Sequence, residues 1–256
     1  GFNLSDYQSE VTKFDNESTE LGNWYVGQKQ GEIWGYETYG LFQSEQEIAG
    51  AANQDKVSGG IKLMPGDIRF VDRNNDGVID WGDNTVDNPG DKKIIGNSTP
   101  RYHYGINLGA DWKGFDLGIF FQGVGKRDLY LPGTSFRSHY GSEWQVPSAY
   151  NNDYWTEENT GAYFPRARFN GGSAINQAQT RYMVDASYCR LKSLSIGYTL
   201  PKVLTQKASI EKIRIYFTGE NLFTISDTPD GLDPELDNPY TYPMQRSLSV
   251  GLSLTF

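Results

Sequence analysis

The sequence is poor in the residues on which enzymes and small metalloproteins most often depend. Its 256 residues include one cysteine, Cys189, and two histidines, His103 and His139. A single cysteine excludes an internal disulfide and a cysteine-based zinc cluster. Neither a glycine-rich phosphate loop nor a nucleophile signature is present. The sequence therefore predicts no catalytic residues and no enzyme.

Positive charge and long apolar runs are also scarce. The chain has 23 basic and 32 acidic residues, for a net charge of -9. This charge argues against a nucleic-acid partner, because phosphate binding needs a basic surface. Mean hydropathy is -0.60, and no stretch approaches the roughly 20 apolar residues of a membrane helix. Membrane-spanning strands would not show up as such a run, since their apolar residues alternate with polar ones.

The abundant residues suit β-structure, as the last ten positions illustrate. Aromatic residues make up 14% of the chain, and there are 29 glycines. Leu248, Val250, Leu252, Leu254 and Phe256 alternate with small or hydroxylic residues. Successive side chains of a strand point to opposite faces, so one face of this segment is apolar. Its length and its aromatic last residue are typical of the closing strand of an outer-membrane barrel.

Residues 102–124 repeat this pattern as a hairpin. Apolar residues alternate with polar ones in both arms, and Lys113-Gly114 forms a two-residue turn. Aromatic residues cluster at both ends of the apolar face, as they do at membrane interfaces. The alternative is a soluble β-sandwich with an aromatic core, which would place the large rings in mid-strand.

About seven strands are expected in total. They lie near 2–7 and 33–42, in the two arms of the hairpin, at 188–200 with a bulge near Lys192-Ser193, at 213–223 and at 247–256. The connections 44–101, 113–114, 125–187, 201–212 and 224–246 alternate long and short. External loops and periplasmic turns of outer-membrane barrels alternate in the same way. The last strand then leaves Phe256 on the periplasmic side.

We therefore predict an all-β fold, an antiparallel transmembrane β-barrel segment with long external loops at 44–101 and 125–187. An open sheet edge in lipid leaves backbone groups unpaired. We expect the segment to pair with more strands, upstream in the same polypeptide or in another chain.

Several short runs, taken in order, resemble the carboxy-terminal third of SusC/RagA-like TonB-dependent outer-membrane transporters. The runs are Gly66-Asp67-Ile68-Arg69-Phe70-Val71-Asp72, Gly96-Asn97-Ser98-Thr99-Pro100-Arg101, Trp112-Lys113-Gly114-Phe115-Asp116, Tyr154-Trp155-Thr156-Glu157-Glu158-Asn159, Phe164-Pro165-Arg166, Tyr188-Cys189-Arg190-Leu191-Lys192, Gly197-Tyr198-Thr199-Leu200-Pro201, Gly219-Glu220-Asn221-Leu222 and Leu232-Asp233-Pro234-Glu235. Each run alone is a weak signal, whereas their order and spacing are specific. The resemblance extends over essentially the whole chain.

The resemblance implies a barrel of about 22 strands with an amino-terminal plug, in the outer membrane of a Gram-negative bacterium. It also implies import of oligosaccharides or peptides, driven by TonB through the plug and assisted by a SusD-like surface lipoprotein. The plug and the TonB box are missing from residues 1–256, so we expect the chain to be the carboxy-terminal portion that completes such an assembly. The alternative is a secreted β-sandwich module that binds carbohydrate.

The sharpest local motif is the acidic run 72–83. Its spacing matches a calcium loop in the side chains of Asp72, Asn74, Asp76, Asp80 and Asp83, the backbone carbonyl of Val78, and the glycine of the sharp turn, Gly77. Asp83 replaces the usual glutamate, and no helices are expected on either side. The run predicts a structural Ca²⁺ that stiffens a long loop. The alternative is a solvated acidic turn.

The second long loop is rich in aromatic residues. The candidates for contact with a substrate or a protein partner are Tyr140, Trp144, Tyr154, Trp155, Tyr163 and Phe164. Exposed rings stack on sugars and pack on protein partners alike. The alternative is that these rings fold the loop on itself, since long loops need their own packing.

Two further features have alternative interpretations. Asp233 and Glu235 have the residue types of a glycosidase pair, but a structural role is favoured because they lie in a loop rich in proline and glycine. Phe256 is expected to be a girdle residue at the periplasmic interface. The resemblance implies that it is also the terminal signal read by the barrel-assembly machinery.

Overall fold

Strands dominate the part of the chain that the computed structural model describes, which is residues 1–130, 153–168, 172–206, 209–229, 232–236 and 241–256. The chain divides into two units. The first, which we call the sheet unit, comprises 1–7, 100–127 and 185–256, and the second, the loop unit, comprises 8–99 and 128–184. None of the helices in the described ranges has the length and apolar character needed to cross a membrane.

The sheet unit is built on one antiparallel sheet of seven strands. The strands are β1 (Phe2–Ser5), β6 (Arg101–Trp112), β7 (Phe115–Lys126), β10 (Tyr188–Thr199), β11 (Lys212–Glu220), β12 (Thr224–Ser226) and β13 (Ser247–Thr255). Their order is β1-β6-β7-β10-β11-β13, and β12 pairs with β10. A one-turn helix, α3 (Lys202–Thr205), lies in the connection between β10 and β11. This arrangement confirms the predicted antiparallel all-β class.

The register of this sheet confirms the predicted hairpin. Trp112 pairs with Phe115 across the turn Lys113-Gly114. From β6 to β13 the register aligns two apolar rows, which are Ala110, Leu117, Ile196, Phe217 and Val250, and Trp112, Phe115, Tyr198, Ile215 and Leu252. Residues paired across antiparallel strands share a face, so the residues of these two rows lie on the same side of the sheet.

The predicted bulge in β10 is also confirmed. The pairing of β10 with β7 shifts between Leu191 and Ser193, so that Lys192 is the extra residue. Opposite it, the backbone N–H of Asn221 donates to the Lys192 carbonyl at 3.1 Å. The predicted strand 213–223 therefore ends at Glu220, and β12 continues the pairing with β10.

The loop unit consists of short elements around its own apolar core. Its strands and helices are β2 (Glu32–Tyr36), β3 (Thr38–Leu41), α1 (Glu45–Ala49), α2 (Asp55–Ser58), β4 (Ile68–Phe70), β5 (Lys92–Asn97), β8 (Asp128–Tyr130), the 3₁₀ turns Ala174–Asn176 and Thr180–Tyr182, and β9 (Met183–Asp185). The strands form three pairs, β2-β5, β3-β4 and β8-β9. The Ser44 side chain caps α1 by accepting from the Glu47 N–H at 3.2 Å. The largest side chains of the core include Tyr36, Phe42, Ile68, Ile79 and Tyr182, all with at most 1% exposure.

The prediction of one barrel strand at 33–42 is wrong. The segment is divided between β2 and β3, neither of which belongs to the seven-stranded sheet. Tyr36 and Phe42 are 1% and 0% exposed, so the segment packs in a core. The strand is also interrupted at Glu37, between β2 and β3. The Glu37 carbonyl there accepts from the Val71 N–H at 2.9 Å. Even without this strand, the connections of the large sheet alternate between long and short when β11 and β12 are counted as one interrupted strand.

Candidate functional site

One face of the large sheet is apolar and exposed. Val250 is 79% exposed, Trp112 is 67% exposed and Leu248 is 62% exposed. A soluble monomer rarely leaves so large a contiguous apolar surface uncovered. At the turn end, the Phe115 and Tyr198 rings lie 4.5 Å apart, and Lys113 Nζ lies 4.9 Å from the Trp112 ring. The face is therefore suited to an apolar medium with a polar boundary near the turn.

The opposite face is polar and carries an ion pair. Arg214 Nε on β11 donates to Asp116 Oδ1 on β7 at 2.9 Å, and the pair reaches across the intervening strand at Gly197. A Cβ at position 197 would lie 2.4 Å from Asp116 Oδ1, so the glycine leaves room for the pair. The Arg214 guanidinium also lies 4.9 Å from the Tyr216 ring. This face can therefore hold charged groups in fixed positions.

Asp233 and Glu235 are brought together with two cations of β10. Arg190 Nη2 lies 2.7 Å from Asp233 Oδ1, Arg190 Nη1 lies 3.0 Å from Glu235 Oε1, and Lys192 Nζ lies 2.7 Å from Glu235 Oε2. Arg190 and Asp233 are nearly buried, at 4% and 3% side-chain exposure. Because each acid has a cation partner, the pair ties its loop to β10, and the geometry favours the structural role.

The electrostatics of Asp233 agree with this role. Burial alone would raise the pKa of Asp233, but hydrogen bonds from Arg190 and from the backbone N–H groups of Glu235 and Met244 outweigh it. The pKa therefore lies below the usual aspartate value. Both backbone bonds are 3.0 Å long. The Asp233 carboxylate thus stays charged and paired at neutral pH.

The acidic run 72–83 folds into a loop whose carboxylates turn onto its own backbone. Asp72 Oδ2 accepts from the Gly77 N–H at 2.9 Å, and Asp76 Oδ1 accepts from the Val78 N–H at 2.8 Å. Gly77 has the positive φ, +84°, expected at the sharp turn. Ile79 is fully buried and anchors the loop in the core.

The remaining carboxylates of the run have other partners. Asp80 Oδ2 lies 2.6 Å from Lys56 Nζ, and this hydrogen bond lowers the pKa of Asp80. Asp83 Oδ2 accepts from Asn88 Nδ2 at 2.8 Å. Across the residues with described positions, no group of three or more histidine, cysteine, aspartate or glutamate side chains is placed to hold a metal ion. These side-chain positions do not fit a closed calcium site, and calcium binding stays a prediction.

Asp91, which lies outside the motif, holds the acidic loop in place. Asp91 Oδ1 accepts from the Arg73 N–H at 2.7 Å, and Oδ2 accepts from the Asp80 N–H at 2.8 Å. Its side chain is fully buried. Burial raises the pKa of Asp91, and the nearby Asp72 charge raises it further. The sequence pattern missed this residue, because no calcium-loop spacing links it to the motif.

The predicted aromatic contacts fall into three groups. Trp155 and Phe164 are 5% and 3% exposed and belong to the core of the loop unit. Tyr163 is half-buried and packs edge-on against Phe164, whereas Tyr154 is 38% exposed. Trp155 and Phe164 therefore match the alternative that the rings fold the loop on itself. Two further candidates, Tyr140 and Trp144, lie outside the described residues.

Sequence reasoning missed the cationic partners of the acidic pair. Arg190 and Lys192 are two residues apart on β10, and both contact Glu235. Together they oppose the two acids of the run 232–235. The two cations and the two acids have the same two-residue spacing, and sequence reasoning could have used this match to predict that they pair. The chain separation of about forty residues hid it.

The chain is similar to known proteins both in its sequence and in its structure. No family model matches the chain. The chain is 32% identical over 248 residues to TonB-dependent receptor P3 of Formosa agariphila, covering 90% of this chain and 22% of that protein. It is 29% identical over 194 residues to TonB-dependent receptor SusC of Bacteroides thetaiotaomicron, covering 73% of this chain and 17% of that protein. The chain thus spans about a fifth of the length of these curated relatives.

Solved structures share the fold. A chain of the RagAB peptide transporter matches with a TM-score of 0.70 and 23% identity over 100% of this chain and 27% of its own length. The RagAB peptide importer in the closed-closed state matches with a TM-score of 0.67 and 21% identity. At these identities the similarity establishes the fold alone.

Proposed function

Because the chain resembles SusC/RagA-like TonB-dependent transporters over most of its length, we propose that it forms part of the wall of an outer-membrane importer. The resemblance predicted from the sequence motifs is confirmed by relatives named as TonB-dependent receptors, which align with 90% of the chain. These relatives are named as receptors and not as enzymes. The carboxy-terminal position and the periplasmic location of Phe256 are parts of the proposal.

The exposed apolar face is the observation that carries this proposal. Its two rows cross the five strands β6, β7, β10, β11 and β13 in register, and Val250 and Leu252 near the edge are 79% and 59% exposed. In a β-sandwich these rows would be covered by a second sheet. No second sheet of that size occurs in the described ranges, where the other sheets have two strands each. Lipid contact explains the exposure better than the secreted binding module does.

The partners follow from the edges of the sheet and from the relatives. Within the described residues, β1 and β13 each pair on one side only, and an unpaired edge is costly in lipid. We infer that the remaining barrel strands complete both edges and that a plug fills the lumen and contacts TonB. A SusD-like surface lipoprotein is the proposed partner in capture. The proposed cargo is an oligosaccharide or a peptide, and RagAB is described as a peptide transporter.

Detergent extraction of outer membranes tests the proposal. The protein containing this chain should be absent from the soluble fraction and should co-purify with a plug, further barrel strands and a lipoprotein. The folded complex should migrate faster on a gel before heating than after it. A detergent-free monomer in the soluble fraction would instead favour the secreted carbohydrate-binding module.

Calcium binding by the acidic run is a second, separate proposal. The support is the motif spacing together with the positive φ of Gly77 at the sharp turn. Binding would require Asp80 to exchange Lys56, which is 55% exposed, for the ion. The proposed role is to stiffen the loop.

A further inference from the structure

A cavity of about 340 Å³ in the loop unit combines two arginines with an exposed aromatic ring. Its polar lining includes Tyr39, Gln43, Glu47, Arg69 and Arg181. Tyr39 is 72% exposed. The volume is near the lower limit for sites that hold small ligands, and it suits one sugar ring or one amino-acid residue.

Arg69 faces this cavity because of its place in β4. Its neighbours Ile68 and Phe70 are 0% and 4% exposed, so the alternation of the strand turns Arg69 to the other side. The guanidinium lies 5.2 Å from the Tyr39 ring and 5.8 Å from the Phe42 ring. Within the described part of the chain, the Arg69 side chain forms no hydrogen bond or ion pair. A guanidinium carries five N–H donors and no acceptor, so its hydrogen-bonding capacity is unused.

Arg181 brings a second positive charge, which is held in a fixed orientation. Arg181 Nε donates to the Tyr163 carbonyl at 2.7 Å, and Nη2 donates to the Ala162 carbonyl. The Arg181 guanidinium also lies 5.8 Å from the Tyr163 ring. Both carbonyls are neutral acceptors, so the positive charge is not cancelled by them.

The acid in the lining is already engaged. Glu47 Oε2 accepts from the Gln43 N–H at 2.8 Å. The Gln43 side chain is fixed in turn, because its Oε1 accepts from Trp155 Nε1 at 3.1 Å and its Nε2 donates to the Leu41 carbonyl at 2.7 Å. Two arginines against one glutamate leave the lining positive in a chain whose net charge is -9. Such local excess favours an anionic ligand.

We propose that this cavity binds a carboxylate group of the ligand, with Arg69 as its hydrogen-bond donor and Tyr39 as a stacking surface. A planar guanidinium matches a carboxylate in a bidentate arrangement, whereas an ammonium does not. The carboxylate can belong to a uronic acid residue or to the end of a peptide. This inference rests on the proposed function, because it names a chemical class of cargo for the importer.

Calorimetry on the intact, detergent-solubilised transporter tests the inference with matched probes. The probes are trigalacturonic acid and its methyl ester, and tri-alanine and its carboxy-terminal amide. One of the two acids should bind about tenfold or more tightly than its own ester or amide, which lacks the carboxylate, as expected for a charge-assisted hydrogen bond. Arg69→Gln should weaken binding of that acid by about tenfold to a hundredfold. Arg69→Lys should retain only part of the wild-type affinity for it.

Arg73→Gln is the matched control, since Arg73 is an exposed arginine of the same unit whose Nη1 donates to the Lys92 carbonyl. It should leave binding unchanged. Preference for trigalacturonic acid or for tri-alanine identifies the source of the carboxylate. The inference is overturned if neither acid binds, if each acid and its ester or amide bind equally, or if a folded Arg69→Gln transporter retains the wild-type affinity. Extraction from the outer membrane with a plug and a lipoprotein does not depend on Arg69, so that proposal would stand.

Discussion

The ring of Tyr216 on β11 covers Gly251, its direct cross-strand partner on β13. The approach is so close that a Cβ at position 251 would lie 2.2 Å from Tyr216 Cζ. A ring on a neighbouring glycine shields backbone that no side chain covers, and it fixes the register of the two strands. This contact attaches the last strand to the sheet on the polar face, opposite the apolar rows.

Gly251→Ala should therefore loosen β13, because the new methyl group displaces the Tyr216 ring. We expect a loss of about 1–3 kcal/mol in the free energy of unfolding, the usual cost of overpacking. Urea unfolding in micelles of the protein that contains this chain measures it. The control is Gly118→Ala on β7, where the nearest heavy atom lies 4.0 Å from the added Cβ. Equal stability of the two variants would show that the ring moves aside without cost.

Charge on the apolar face should impair membrane assembly, whereas charge on the polar face should not. Val250→Arg places a cation in the exposed row that we assign to lipid, at a cost of about 2–4 kcal/mol if the site is near the bilayer centre. Ser249→Arg, one residue earlier, points to the other face. The amount of heat-modifiable protein in the outer membrane should fall for the first variant only. Similar yields for both would contradict lipid contact.

The loop 232–236 should detach from β10 on acidification. Because the pKa of Asp233 is lowered in the folded state, its stabilising effect is complete above the usual aspartate pKa. The effect is lost as the pH falls through the lower folded value. The Glu235 and Met244 amides, which donate to Asp233, should then lose protection from hydrogen exchange as the pH falls below the usual aspartate pKa, after correction for the intrinsic rate.

Asp233→Asn provides the comparison for this pH effect. It should cost about 2 kcal/mol at neutral pH, within the range for hydrogen bonds to charged groups. It should also remove the acid-dependent change. If the amides of Asp233→Asn still lose protection in the same pH range, the acid-dependent change belongs to another carboxylate.

Alternation alone was enough to predict the five long strands of the large sheet, but not the short strand β12. In β13 the apolar residues recur every second position, and the same period in β6 and β7 gave both the turn and the pairing of Trp112 with Phe115. The break in the period of β10 gave the bulge at Lys192. These features are local, since each depends on the two faces of a strand and on one short turn.

Features that depend on distant parts of the chain could not be predicted in this way. The segment 33–42 was expected to be a barrel strand because it is rich in tyrosine and glycine, but Tyr36 and Phe42 are buried in a core, where the Tyr36 ring packs against the distant Phe70. Asp91 supports the acidic loop from outside its motif. Arg190 meets Asp233 across 43 residues. No spacing rule connects such partners, because the intervening chain can have many lengths.

Calcium should bind the acidic run of the intact assembly with a stoichiometry of one, if the proposal for this loop is correct. Asp76→Asn removes one formal charge from the ligand set and should weaken binding about tenfold or more. Asp87→Asn, an exposed aspartate outside the motif, should have no effect. Calorimetry that detects no calcium binding to the wild type would leave the loop as a solvated acidic turn.

Phe256 should contribute to assembly through its aromatic side chain at the end of the chain. It is 83% exposed and follows β13 directly, so its removal leaves the strand pairing intact. Deleting Phe256 should therefore lower outer-membrane insertion while changing the stability of assembled protein little. Phe256→Tyr keeps the ring and should insert more efficiently than the deletion. Pulse-labelled insertion measures the rate, and equal insertion of all three forms would show that the assembly machinery does not read this residue.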